Sequence, residues 1–104
     1  MATILGDGGN NTNTVAGGTS DFFDMFGGSD VVNAGGGNDS LYGGGNGDTL
    51  SGGTGNDYID GGIGNDTLQG SSGDDTMYGG LGDDVYYADT SLDYMYENAG
   101  QGTD

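Results

Sequence analysis

The sequence predicts an all-β fold: a coil of two Gly-rich turns and two three-residue strands, 18 residues per lap, stacked in parallel. Three observations predict it. Aspartate recurs every nine residues, at Asp21, Asp30, Asp39, Asp48, Asp57, Asp66, Asp75, Asp84 and Asp93. Two places further on, a second series runs Leu5, Thr14, Phe23, Val32, Leu41, Leu50, Ile59, Leu68, Met77, Tyr86 and Met95, and only Thr14 breaks its apolar character. Glycine supplies 27 of the 104 residues, enough in each nonapeptide to disfavour a helix. A fixed period of this kind marks a repeat architecture.

Each nonapeptide divides in two. Places one to six are rich in Gly, Asn and Asp, the residues of turns that need positive φ. Places seven to nine, such as Tyr58-Ile59-Asp60, form a short strand; alternation sends the middle residue inward and its neighbours outward. Residues 1–15 read as an N-terminal cap with a degenerate first repeat, DGGNNTNTV (7–15), which has no Asp at place six. Residues 16–96 carry the repeats. Residues 97–104 form a C-terminal flank that reads as truncated, because it stops before the frame completes.

Composition narrows the chemistry. Seventeen acidic residues stand against no Lys, Arg or His, a formal charge of −17. Such a chain lacks the basic groups with which nucleic acids or anionic membranes are held. Cys and His are both absent, which excludes zinc or copper sites of the usual sulfur and nitrogen kind. Carboxylate and carbonyl oxygen remain, the ligands of calcium, magnesium or manganese. No apolar run is long enough to span a bilayer, and the start, MATILGDGGNN, lacks the pattern of a cleaved signal.

The pattern resembles the repeats-in-toxin (RTX) calcium-binding nonapeptide, G-G-x-G-x-D-x-U-x. GGTGNDYID (52–60), GGIGNDTLQ (61–69) and GGLGDDVYY (79–87) fit every marked place. AGGGNDSLY (34–42), GGGNGDTLS (43–51) and GSSGDDTMY (70–78) depart at one or two. AGGTSDFFD (16–24) and MFGGSDVVN (25–33) are looser, with Thr19, Met25 and Phe26 where glycine is expected, and ADTSLDYMY (88–96) has no Gly. The resemblance implies a right-handed parallel β-roll that binds several Ca2+ ions. It implies a module of a bacterial protein exported by type I secretion, unfolded in low cytosolic calcium and folded outside, at the cell surface or beyond. Other domains of a parent protein are implied as well.

The spacing gives the aspartates a physical reason. Residues 18 apart lie one above the other, so Asp57 faces Asp39 below and Asp75 above at about 5 Å; at an effective dielectric near 20 each pair repels by roughly 3 kcal/mol. A calcium ion, which takes six to eight oxygens, relieves this by accepting both carboxylates and turn carbonyls. The carbonyls in reach belong to Gly43, Gly45, Gly52, Thr54, Gly61, Ile63, Gly79 and Leu81. Asp39, Asp48, Asp57, Asp66, Asp75 and Asp84 sit in turns close to the motif; Asp21, Asp30 and Asp93 sit in or beside irregular ones. Nine aspartates paired at i, i+18 allow seven sites, about four of them in motif-like turns. Few inward apolar residues oppose much backbone entropy and a row of like charges. The expectation is a chain that is disordered without calcium and folds on binding it.

Other residues read more plainly. The place-eight residues are core. Asp24, Asp60, Asp74, Asp83, Asp89 and Glu97 lie off the ligand frame and read as surface charge. Tyr78 and Tyr96, 18 apart at place nine, are expected to stack on an outer face. The Asn-x-Ser/Thr sequences at Asn38 and Asn65 arise from the repeat wording itself. No Walker lysine, EF-hand loop or Ser-His-Asp set is present, so no enzymatic chemistry is legible. The alternative class is a structural or interaction module: an adhesin spacer, with oligomerisation through the tyrosine face, or an ice-binding β-solenoid. The latter needs a flat outward file of Thr or Asn, and place three (Gly36, Gly45, Thr54, Ile63, Ser72, Leu81) supplies none.

Overall fold

The structure, a computed structural model, describes residues 3–14, 18–88 and 93–97. The boundary placed after residue 15, Asp89, the flank beyond 97 and the Glu97 side chain lie outside the described residues. Among the described residues every regular element is a strand. One sheet holds β1 (Thr3–Leu5), β3 (Phe22–Asp24), β5 (Ser40–Gly45), β7 (Tyr58–Ile63), β9 (Thr76–Leu81) and β11 (Tyr94–Glu97), in that spatial order. The other holds β2 (Thr12–Thr14), β4 (Val31–Asn33), β6 (Thr49–Thr54), β8 (Thr67–Ser72) and β10 (Val85–Ala88). All neighbours are parallel and the chain alternates between sheets, which makes a β-solenoid.

From β3 upward the 18-residue lap holds. Leu41 pairs with Ile59 and Ile59 with Met77, while Val32 pairs with Leu50 and Leu50 with Leu68. These place-eight residues, with Phe23, are fully buried between the sheets. Met25 and Ala34 join them from place one, and Ile4 and Tyr86 pack on the ends. Burial of this narrow apolar column is what sets the register, because a one-residue slip would turn it outward.

The first lap departs from the expected frame. Ile4, not Leu5, pairs with Phe23, and Asn13, not Thr14, pairs with Val32, so this lap spans 19 residues. Leu5 is 63% exposed while Ile4 packs on the core. Asn11 therefore takes place six of a repeat that begins at Gly6. The reason is local: GDGGNN and DGGNNT serve the same turn equally well, and Ile4 is the residue that fits the column.

The central strands are also longer than three residues. They run on through places one to three of the next repeat, stepping over place one: Tyr42 pairs with Asp60, then Gly44 with Gly62. Gly62 (φ 96°) shows why glycine is needed there, since a Cβ would strike the backbone carbonyl of Gly44. Met25 and Phe26 do not abolish their turn. Met25 turns into the core, and Phe26 adopts φ 67° with its carbonyl accepting the Gly45 N–H at 2.7 Å.

Candidate metal centre

The two edges between the sheets carry the aspartates, placed there by the turn that ends each strand. Asp21, Asp30, Asp39, Asp48, Asp57, Asp66, Asp75 and Asp84 are all at most 3% exposed, and Asp93 is half-buried at the last lap. In a chain with no basic side chain, eight buried carboxylates are an exceptional burden.

Half of each carboxylate is accounted for. The backbone N–H of Asp39 donates to Oδ1 of Asp57 at 2.8 Å, and that of Asp57 donates to Oδ1 of Asp75 at 2.9 Å. The same bond joins Asp21 to Asp39, Asp30 to Asp48, Asp48 to Asp66, Asp66 to Asp84 and Asp75 to Asp93, at 2.7–3.0 Å. All seven i, i+18 pairs that the spacing allows are therefore brought together. The spacing did not reveal that Oδ1 is spent on backbone.

Oδ2 is different. On Asp30, Asp39, Asp48, Asp57, Asp66 and Asp84 it is buried and accepts no hydrogen bond. On Asp48, Asp57, Asp66 and Asp84 it packs against the glycine at place one of its own repeat: a Cβ on Gly43, Gly52, Gly61 or Gly79 would press on it. The Gly61 carbonyl, one lap above, borders the same space at Gly43. At Gly43 an anionic and a carbonyl oxygen thus lie side by side.

Electrostatics tells the same story. Burial, foremost, pushes the Asp48 carboxyl up to about 6 and those of Asp57 and Asp66 to about 7, and raises Asp39. The backbone N–H one lap back opposes the shift, and the neighbouring aspartates reinforce it. Such groups call for a proton or a metal cation. Among the described residues no three acidic side chains converge on one point. A cation would therefore complete its shell with turn carbonyls, as calcium does. Those of Thr54 and Leu81 accept one hydrogen bond each, from Gly37 and Gly64 at 3.0 and 2.7 Å, which leaves each a second lone pair.

Three residues were not visible as site residues in the sequence. Asn11 enters the aspartate file through the shifted first lap, and Asp7 beside it is held below the ordinary carboxylate value, first by the Gly9 N–H and then by the Asn11 amide. At the other end the Tyr86 hydroxyl accepts the Gly79 N–H at 2.8 Å and donates to the Tyr96 carbonyl at 2.9 Å, beside Asp84. Only the shifted frame, or pairing of place eight with place one, would have shown them.

A parallel solenoid whose turns present buried, half-satisfied carboxylates defines a cation-binding repeat module. The model of the RTX calcium-binding nonapeptide repeat (4 copies) matches residues 26–59 and 60–95, more than half of the chain. The chain belongs to that family, and its fold is the calcium-binding β-roll. No curated protein and no solved structure matches the chain. Among the described residues no helix is long and apolar enough to cross a membrane.

Proposed function

We propose that this chain is a calcium-gated folding module, disordered without the ion and wound into the β-roll by it. The observation that carries the reading is the row of buried Oδ2 atoms on Asp39, Asp48, Asp57, Asp66 and Asp84, which accept no hydrogen bond from the described residues. Asp39, Asp48, Asp57, Asp66, Asp75 and Asp84 would hold the ions together with turn carbonyls, and Asp21, Asp30 and Asp93 would extend the two files to as many as seven sites. Bound calcium supplies positive charge that neutralises stacked carboxylates and ties successive laps. Free energy of ion binding then becomes free energy of folding.

A module that stays unfolded at low calcium and folds at the millimolar level suits a bacterial protein exported by type I secretion and working outside the cell. Far-UV circular dichroism with EGTA and with millimolar calcium tests the reading. A β-rich spectrum only with calcium supports it, and the same β-rich spectrum in both conditions overturns it.

A second reading, an ice-binding solenoid, draws on one observation. Place seven of the second sheet, not place three, forms an outward file, Thr12, Val31, Thr49, Thr67 and Val85, in register across five strands. Thermal hysteresis of the calcium-loaded protein decides it.

A further inference from the structure

Asn11 stands at the foot of one aspartate file, below Asp30, Asp48, Asp66 and Asp84. Its N–H donates to Oδ1 of Asp30 at 2.7 Å and its carbonyl accepts the Val31 N–H at 2.8 Å. Asp30 makes the same two bonds, with Asp48 and Thr49. The backbone role is identical. The side chain is not.

The Asn11 Nδ2 donates to Oδ1 of Asp7 at 3.2 Å, to Oδ1 of Asp30 at 3.1 Å and to the Gly9 carbonyl at 2.7 Å. Two carboxylates and one turn carbonyl thus close on a single nitrogen. Carboxylate plus backbone carbonyl is the donor set of a hard cation. Here the positive end of an amide fills it, with two N–H groups shared among three oxygens. An aspartate in its place would set three carboxylates around one point with no donor among them.

We infer that Asn11 is a built-in substitute for a cation, which closes the first lap with an amide and ends the metal file there. The amide engages Oδ1 of Asp30 and leaves its Oδ2 to the lap above. The first lap thereby needs no ion and serves as a foundation on which the metal-bound laps stack. This inference rests on the reading that those upper laps are tied by calcium.

Calcium titration calorimetry on wild type and Asn11→Asp, with hydrogen exchange on calcium-loaded Asn11→Leu, tests it. N11D should bind one ion more than wild type, because a carboxylate now completes the cage of Asp7 and Asp30. N11L, close in size but unable to donate, should keep the wild-type ion count while the amides of Thr12–Thr14 exchange at least tenfold faster. An unchanged count in N11D, an N11D chain that calcium does not fold, or wild-type protection in N11L would each overturn the inference. A wild type that binds no calcium would instead sink the proposed function, and this inference with it.

Discussion

Asp39 is bonded to the lap above through both its backbone groups, one of them to Asp57. The Asp39 N–H donates to Oδ1 of Asp57 at 2.8 Å, and the Asp39 carbonyl accepts the N–H of Tyr58 at 2.8 Å. The carboxylate of each lap is thus a cap for the turn beneath it, and its second oxygen is the anionic donor of the site. One side chain serves two purposes, and substitutions separate them.

Asp57→Ala removes both. It leaves the buried Asp39 N–H without its acceptor, a loss of about 1–3 kcal/mol, and strips a carboxylate that neighbours both Asp39 and Asp75. Titration calorimetry should show more than one calcium ion lost. Asp57→Asn keeps an oxygen for the Asp39 N–H, so its calcium-loaded fold should persist with weaker calcium binding.

Gly52→Ala should reproduce part of the Asp57→Ala defect without touching a carboxylate. The added Cβ would press on Oδ2 of Asp57. Calcium affinity should fall in calorimetry, and an affinity equal to wild type would show that the placement of this oxygen plays no part.

Calcium binding should weaken on acidification. Asp48, Asp57 and Asp66 have folded-state values of about 6, 7 and 7, above the ordinary 3.8. Between about pH 4 and 7 the metal-free folded state therefore binds more protons than the unfolded one. Its stability is greatest below pH 4 and is lost as pH rises through 6 to 7. Acid thus favours a protonated, metal-free fold from which calcium must displace protons, whereas the unfolded chain proposed for pH 7.5 holds none. Calorimetry at pH 5.5 and 7.5 should show weaker binding and greater proton release at the lower pH.

Tyr58→Ala should cost stability and leave the ion count alone. Its ring lies 5.7 Å from Tyr42 and 5.3 Å from Tyr78, in a column that runs from Phe22 to Tyr96 on the outside of the first sheet. Two aromatic pairs contribute about 1–3 kcal/mol, which urea unfolding of the calcium-loaded protein would measure.

The nine-residue series of aspartates made most of this fold legible. It fixed the register from Phe23 to Met77 and the pairing of all seven Asp couples, because metal and core demand the same 18-residue lap. The apolar series misled in the first lap, where GDGGNNT accommodates either frame and only the packing of Ile4 on the core decides. Tyr78 and Tyr96 stack as their spacing implies, 4.7 Å apart. The rest of the column was hidden because Phe22 and Tyr58 come from place seven while Tyr42 and Tyr78 come from place nine. The bond from backbone to Oδ1 left no trace in residue types, since any turn aspartate satisfies the pattern.

The most direct test is a crystal structure of the protein grown in calcium. The account predicts ions on the edges of the solenoid, each in contact with Oδ2 of residues such as Asp48, Asp57 and Asp66 and with carbonyls of the adjoining turns. Those same oxygens found instead bonded to water or to N–H groups of the chain, with calcium abundant in the crystal, would contradict it.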